Sequence, residues 1–283
     1  MIPKGAQYLL LATFCYALMN ICVKFIFHIP VMEVVMFRCI ICLLASYTHL
    51  KIIHQPIWGN NKKALILRGI FGTISLTAFF FTLQRIPLAS ATTIQYLSPI
   101  FTIILATFIV KEKTNAGQYL FFLLSFVGVL MIKGFDGRIS YLDLGAGVLS
   151  AFCSGCAYNL IRKTSKSEHP MVVVFYFPLV ALPFAVIGTL FGYITPTGTD
   201  WLFLILQGVF SQLGQTFMTM ALQQEKASGI VNLQYTGVIF ALMFGFFIFN
   251  ERYPTTSLAG MALIILGIIL NFFYSRYRAK LVT

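Results

Sequence analysis

Ten stretches of mainly apolar residues, each near 20 residues long and joined by short connections, occupy most of this 283-residue chain. They cover approximately residues 5–27, 31–50, 64–84, 88–110, 117–134, 143–162, 170–192, 201–223, 227–249 and 256–275. A helix of about 20 residues rises about 30 Å, which matches the hydrocarbon core of a bilayer. Inside that core each backbone N–H and C=O must find its partner within the protein, so long apolar runs read as helices. Pro30, Pro87, Pro170 and Pro254 stand at or near the starts of runs, where a missing N–H costs least.

Composition agrees with lipid as the solvent. Hydrophobic residues make up 59% of the chain, charged residues 10%, and mean hydropathy is +0.87. A soluble domain is about half apolar and a quarter charged. A net charge of +12 would suggest nucleic acid in a soluble protein. Here the basic residues form short clusters between apolar runs, so no nucleic-acid partner is expected. Alternate connections place Lys4, Lys51, Lys62, Lys63, Lys111, Lys113, Arg162, Lys163, Lys166, Lys226, Arg276, Arg278 and Lys280 on one side, and Arg85, Lys133, Arg138 and Arg252 on the other. The positive-inside rule then puts both termini in the cytoplasm.

The N-terminal run is too long for a signal-peptide core and lacks a small-residue cleavage site, so it reads as the first span. All six cysteines lie inside apolar runs. Cys39-x-x-Cys42 and Cys153-x-x-Cys156 have metal-like spacing. Neither pair has His or acidic neighbours, so they read as packing residues, and no metal or cofactor is expected.

The chain repeats itself. Ile94–Glu112 and Leu233–Glu251 share seven of nineteen residues at an offset of 139, including Gln95/Gln234, Tyr96/Tyr235 and Glu112/Glu251. The same offset pairs Gly69/Gly208, Thr77/Thr216 and Gln84/Gln223. Polar matches at one offset are hard to obtain from apolar composition alone. The repeat holds five spans. An odd number makes the second copy enter from the opposite side, which relates residues 1–138 and 139–283 as inverted five-helix repeats. Secondary transporters use this arrangement, with substrate near the midplane between the repeats.

Three segments carry a family resemblance. Pro30-Val-Met-Glu33 through Arg38, Arg85-Ile-Pro87 through Pro99, and Gln234 through Asn250-Glu251 resemble the EamA-type ten-helix members of the drug/metabolite transporter superfamily. The resemblance covers essentially the whole chain. It implies an all-α polytopic membrane protein of ten transmembrane helices and a transport function, without fixing the substrate. The small four-helix exporters of that superfamily use a first-helix carboxylate for proton–cation exchange. The first run here has Asn20 and Lys24 and no acid, which argues against that mechanism.

Polar residues at membrane depth are costly and mark paired or functional groups. Arg38 lies about 12 Å into its helix at 1.5 Å per residue; it could meet an anion, or pair with Glu33 or with helix-end carbonyls. Gln95, Tyr96 and Ser98 sit mid-run beside Pro99, which withholds an N–H from the Gln95 carbonyl; Gln234 and Tyr235 repeat the pair. Thr73 and Thr77 lie one turn apart. Gln212 and Gln215 are mid-run, and Asn20, Tyr158 and Asn159 supply matching groups on the first and sixth runs. These twelve residues (Asn20, Arg38, Thr73, Thr77, Gln95, Tyr96, Tyr158, Asn159, Gln212, Gln215, Gln234 and Tyr235) form the expected substrate-binding set. Glu112 and Glu251 read as symmetric helix-end anchors or gates.

The sequence therefore predicts a secondary transporter for a small polar or zwitterionic metabolite, as a monomer or homodimer in a cytoplasmic membrane of bacterial type. Proton or ion coupling has no strong candidate acid. No nucleotide-binding loop is present in the sequence. A flippase for a lipid-linked substrate is the alternative. An embedded enzyme lacks a catalytic constellation and is not expected.

Overall fold

The structure is a computed structural model that describes residues 4–110, 120, 121, 123, 124, 127, 128, 131, 138–224, 234 and 236–282. Every regular element among them is helical: α1 Lys4–Phe25, α2 Val31–Ile52, α3 Lys62–Arg85, α4 Leu88–Gln95, α5 Ser98–Ile109, α6 Tyr141–Lys163, α7 Pro170–Thr189, α8 Asp200–Gln224, α9 Thr236–Phe247 and α10 Thr255–Val282. Most of the expected fifth run, 117–134, and the start of the ninth lie outside the described residues.

Among the described residues, six spans are long and apolar enough to cross a bilayer: α1, α2, α3, the α4–α5 pair over Leu88–Ile109, α6 and α7. Helix α9 and the Thr255–Gly267 part of α10 are shorter apolar helices. At 25 residues α8 is long enough, but Gln207, Gln212, Gln215, Gln223 and Gln224 dilute its hydropathy.

Helix starts follow local chemistry. Pro30 and Pro87 sit at the N-caps of α2 and α4. His169 caps α7, and Pro170 begins it. Ser140 and Asp143 form a reciprocal capping box on α6, satisfying two otherwise orphaned donors.

The fourth run departs from a continuous helix. α4 stops at Gln95, the chain turns through Tyr96 and Leu97, and α5 starts at Ser98 with Pro99 in its first turn. Proline has no N–H and clashes with the preceding turn, so the run breaks where a helix would have had to carry Pro99 internally.

The most extensive pairings are α1 with α8, α3 with α6, and α2 with α7. The pattern is reciprocal. With α1 matched to α6 and α3 to α8 by the repeat, α1–α8 and α6–α3 are one contact made twice.

Contacts also sort the connections into two ends. At one end His28 meets Asp200 (3.2 Å), Arg85 meets Asp143 (2.6 Å), and Arg138 donates to the Arg252 carbonyl. At the other end Asn60 donates to the Ser167 carbonyl and the Asn61 N–H to Glu168. Two apolar clusters hold these ends. One includes Met19, Val23, Ile26 and Ile86; the other includes Leu9, Leu50, Leu65 and Ile161. Along their helices Arg68 and Ser154 fall between the two clusters, and Asn20 and Arg38 lie at the edge of the first that faces the second.

Candidate functional site

A cavity of about 130 Å³ occupies that middle layer. At about 10–15 Å³ per water it has room for on the order of ten waters, or a small organic molecule. Helical periodicity selects its walls. Thr13, Tyr16 and Asn20 come from one face of α1, and Arg68, Gly72, Ser75 and Phe79 from one stripe of α3. The break between α4 and α5 contributes Gln95, Tyr96 and Ser98. α6 adds Ser154 and Tyr158, α7 Phe177, α8 Gln215 and Met218, and Gln234 lies before α9.

One wall is cationic. Arg38 is 2% exposed and Arg68 3%. Both guanidiniums lie against Phe177, with Cζ 4.8 Å and 4.4 Å from the ring centroid. Arg38 Nε donates to Ser211 Oγ, while Arg38 Nη1 and Arg68 Nε and Nη1 have no hydrogen-bond partner among the described residues. Neither arginine meets a carboxylate among the described residues. Glu33 instead accepts from the Ile194 N–H at 3.0 Å. The expected Arg38–Glu33 alternative is thus not the arrangement seen.

Another wall is neutral and closed on itself. Gln95 Nε2 donates to Ser154 Oγ at 2.8 Å, and Ser150 Oγ contacts both Gln95 Oε1 and the Ser75 carbonyl at 2.7 Å. Ser75 Oγ lies 2.6 Å from Ser154 Oγ. The network joins α3 and α4 to α6, across the two repeats.

Those repeats also appear in the family comparison. The EamA-like transporter family matches the chain twice, over residues 3–134 and 143–273. The chain belongs to the EamA-like transporter family. It is an integral multi-pass membrane protein of that transporter group. The pseudopaline exporter of Pseudomonas aeruginosa is 30% identical over 95% of this chain and 96% of its own. Human solute carrier family 35 member G1 is 29% identical over 93% of this chain and 77% of its own. A crystal structure with 13% identity has the same fold, with a TM-score of 0.73 and coverage of 96% and 98%.

In this EamA-like chain, Asn20, Arg38, Gln95, Tyr96, Tyr158, Gln215 and Gln234 from the expected set line the cavity. The other described members lie off it. Thr73 donates to the Gly69 carbonyl at 2.8 Å, and Thr77 is half-buried with no partner on its hydroxyl. Asn159 donates to the carbonyls of Thr102 and Gly155. Gln212 turns toward Ser46 of α2 at 3.4 Å. Tyr235 and Glu112 lie outside the described residues. Arg68, Phe177, Ser75, Ser150 and Ser154 stand outside the expected set. Arg68 met the same criterion that singled out Arg38, an ionisable group inside a span.

One end of the cavity is latched between the repeats. Lys24 Nζ donates to the Ile86 carbonyl at 2.5 Å and lies 3.4 Å from Glu251 Oε1. Glu251 accepts from the Leu88 N–H and from the Tyr253 hydroxyl at 2.5 Å, capping the start of α4. The helix-end role expected of Glu251 has this geometry.

Proposed function

We propose that the chain is a secondary transporter that carries a small polar or zwitterionic metabolite by alternating access through this cavity. The observation that carries the reading is its position: a chamber at mid-helix that gathers charged and polar side chains from both repeats and includes the break between α4 and α5. Discontinuous helices at the midplane supply binding groups that a continuous helix would keep within its own hydrogen bonds. The relatives are an exporter and a solute carrier by name, which supports transport and not a direction.

The same proposal includes ten spans, with residues 1–138 and 139–283 as inverted repeats and both termini cytoplasmic in a bacterial inner membrane. Reciprocal α1–α8 and α3–α6 packing supports the inversion. The basic excess at the Asn60–Glu168 end supports the orientation. Asn20, Arg38, Gln95, Tyr96, Tyr158, Gln215 and Gln234 are the proposed substrate contacts, joined by Arg68. Alternation opens the Lys24–Glu251 end and closes the other.

The test is uptake of a panel of labelled metabolites into proteoliposomes, with the latch locked. Bridging Lys24→Cys and Glu251→Cys with a reversible methanethiosulfonate cross-linker should stop uptake, and reduction should restore it. Full uptake by the bridged protein excludes alternation at this end.

A further inference from the structure

Transport alone leaves the charge of the cargo open, and the cavity's two arginines narrow it. Burying a charge without a partner costs several kcal/mol even after relaxation, so buried cations are normally paired. Arg38 and Arg68 are almost wholly buried, share one aromatic ring, and keep three N–H-bearing nitrogens without acceptors. Their guanidinium carbons are therefore no further apart than the sum of their distances to the Phe177 centroid. No Asp or Glu is among the described residues lining the cavity.

The fold makes room for this cluster. A Cβ on Gly72 would lie 2.9 and 3.0 Å from Phe177 ring carbons and 3.1 Å from Arg68 Nη1. Glycine there lets the ring and the guanidinium approach the α3 backbone. Pro178 follows the ring inside α7 and removes the N–H that would bond the Val174 carbonyl.

We infer that Arg38 and Arg68, set on Phe177, form an oxyanion subsite, and that the transported metabolite is a small organic anion bearing a carboxylate or phosphate group. This rests on the transport reading and deepens it. The guanidinium fork matches either oxyanion in two-point geometry. Ring contact holds the forks in place before the ligand arrives, which lowers the ordering cost of binding. The Gln95–Ser154 wall meets the neutral polar part of the same molecule. A cationic metabolite finds two like charges and no carboxylate to offset them.

The experiment measures thermal unfolding of the purified full-length protein at fixed ionic strength. The probes are succinate, glycerol phosphate, neutral succinamide and cationic putrescine. At saturation an anion should raise Tm by about 3 °C or more, and succinamide and putrescine should leave it unchanged. Succinate acting alone assigns a carboxylate, and glycerol phosphate acting alone a phosphate. Arg68→Gln should remove the anion shift while keeping its own Tm at or above wild type in anion-free buffer. Arg68→Lys should retain part of the shift. Should Arg68→Gln fail to fold, the wild-type contrast between succinate and succinamide decides alone. No shift with either anion, or an equal shift with succinamide, overturns the subsite. Proteoliposome uptake separates the two levels. Uptake of neutral or cationic metabolites with none for anions overturns the anion class and leaves transport standing. Uptake of no metabolite of any charge by folded protein overturns transport itself.

Discussion

The cavity's two walls are built on opposite principles. On the Gln95 side, Ser75, Gln95, Ser150 and Ser154 spend their donors and acceptors on one another. On the Phe177 side, Arg38 and Arg68 bury full charges and leave nitrogens without acceptors. A satisfied network holds helices together; a buried unsatisfied cation holds energy that a partner can release. The first wall joins the repeats and offers the proposed cargo only what its own network leaves over, and the second is where that cargo would gain most by binding.

Substitutions should pull the walls apart. Arg38→Gln, alongside Arg68→Gln, should have the largest effect: a loss of about 100-fold in transport kcat/KM, equivalent to about 2.7 kcal/mol, with no loss of thermal stability. Flux assays and unfolding on the same preparation check both halves of that expectation. Gly72→Ala comes next, because the new methyl must displace Phe177 or Arg68. Apparent affinity should fall about tenfold, or about 1.4 kcal/mol, in a binding titration. Ser150→Ala should show the reverse pattern, with stability reduced by about 1 kcal/mol and substrate affinity changed less than by Gly72→Ala. Thr73→Val should be smallest, within about 0.5 kcal/mol in denaturation. Its hydroxyl only returns to its own helix at the Gly69 carbonyl.

That last contrast shows what could be read from residues alone. Length and hydropathy set the runs, because each helix boundary is fixed by local turn chemistry and the bilayer width. The repeat was visible because polar identities such as Gln95/Gln234 persist at one offset. The inward face of α3 was harder to read. Thr73 and Thr77 have the spacing of a helical stripe, but the stripe facing the cavity is Arg68, Gly72, Ser75 and Phe79. One residue turns a helix by about 100°. In a membrane helix both faces are apolar enough to hide that choice, and only packing against α6 and α7 settles it. Arg68 was discoverable by the rule that found Arg38. Phe177 was not, since one phenylalanine among 29 carries no mark of the charges it will hold. The break after Gln95 was legible only as the presence of Pro99. Its outcome as two helices depended on neighbours that could accept a turn at that depth.

The most direct test of the proposed anion-binding cavity compares wild type, Arg68→Gln and Arg68→Lys in proteoliposomes, each purified as a folded, monodisperse protein. Uptake of labelled carboxylate- and phosphate-bearing metabolites should be present in wild type, reduced about 100-fold in the glutamine variant, and partly restored by lysine. Wild-type uptake rates in Arg68→Gln would contradict the account.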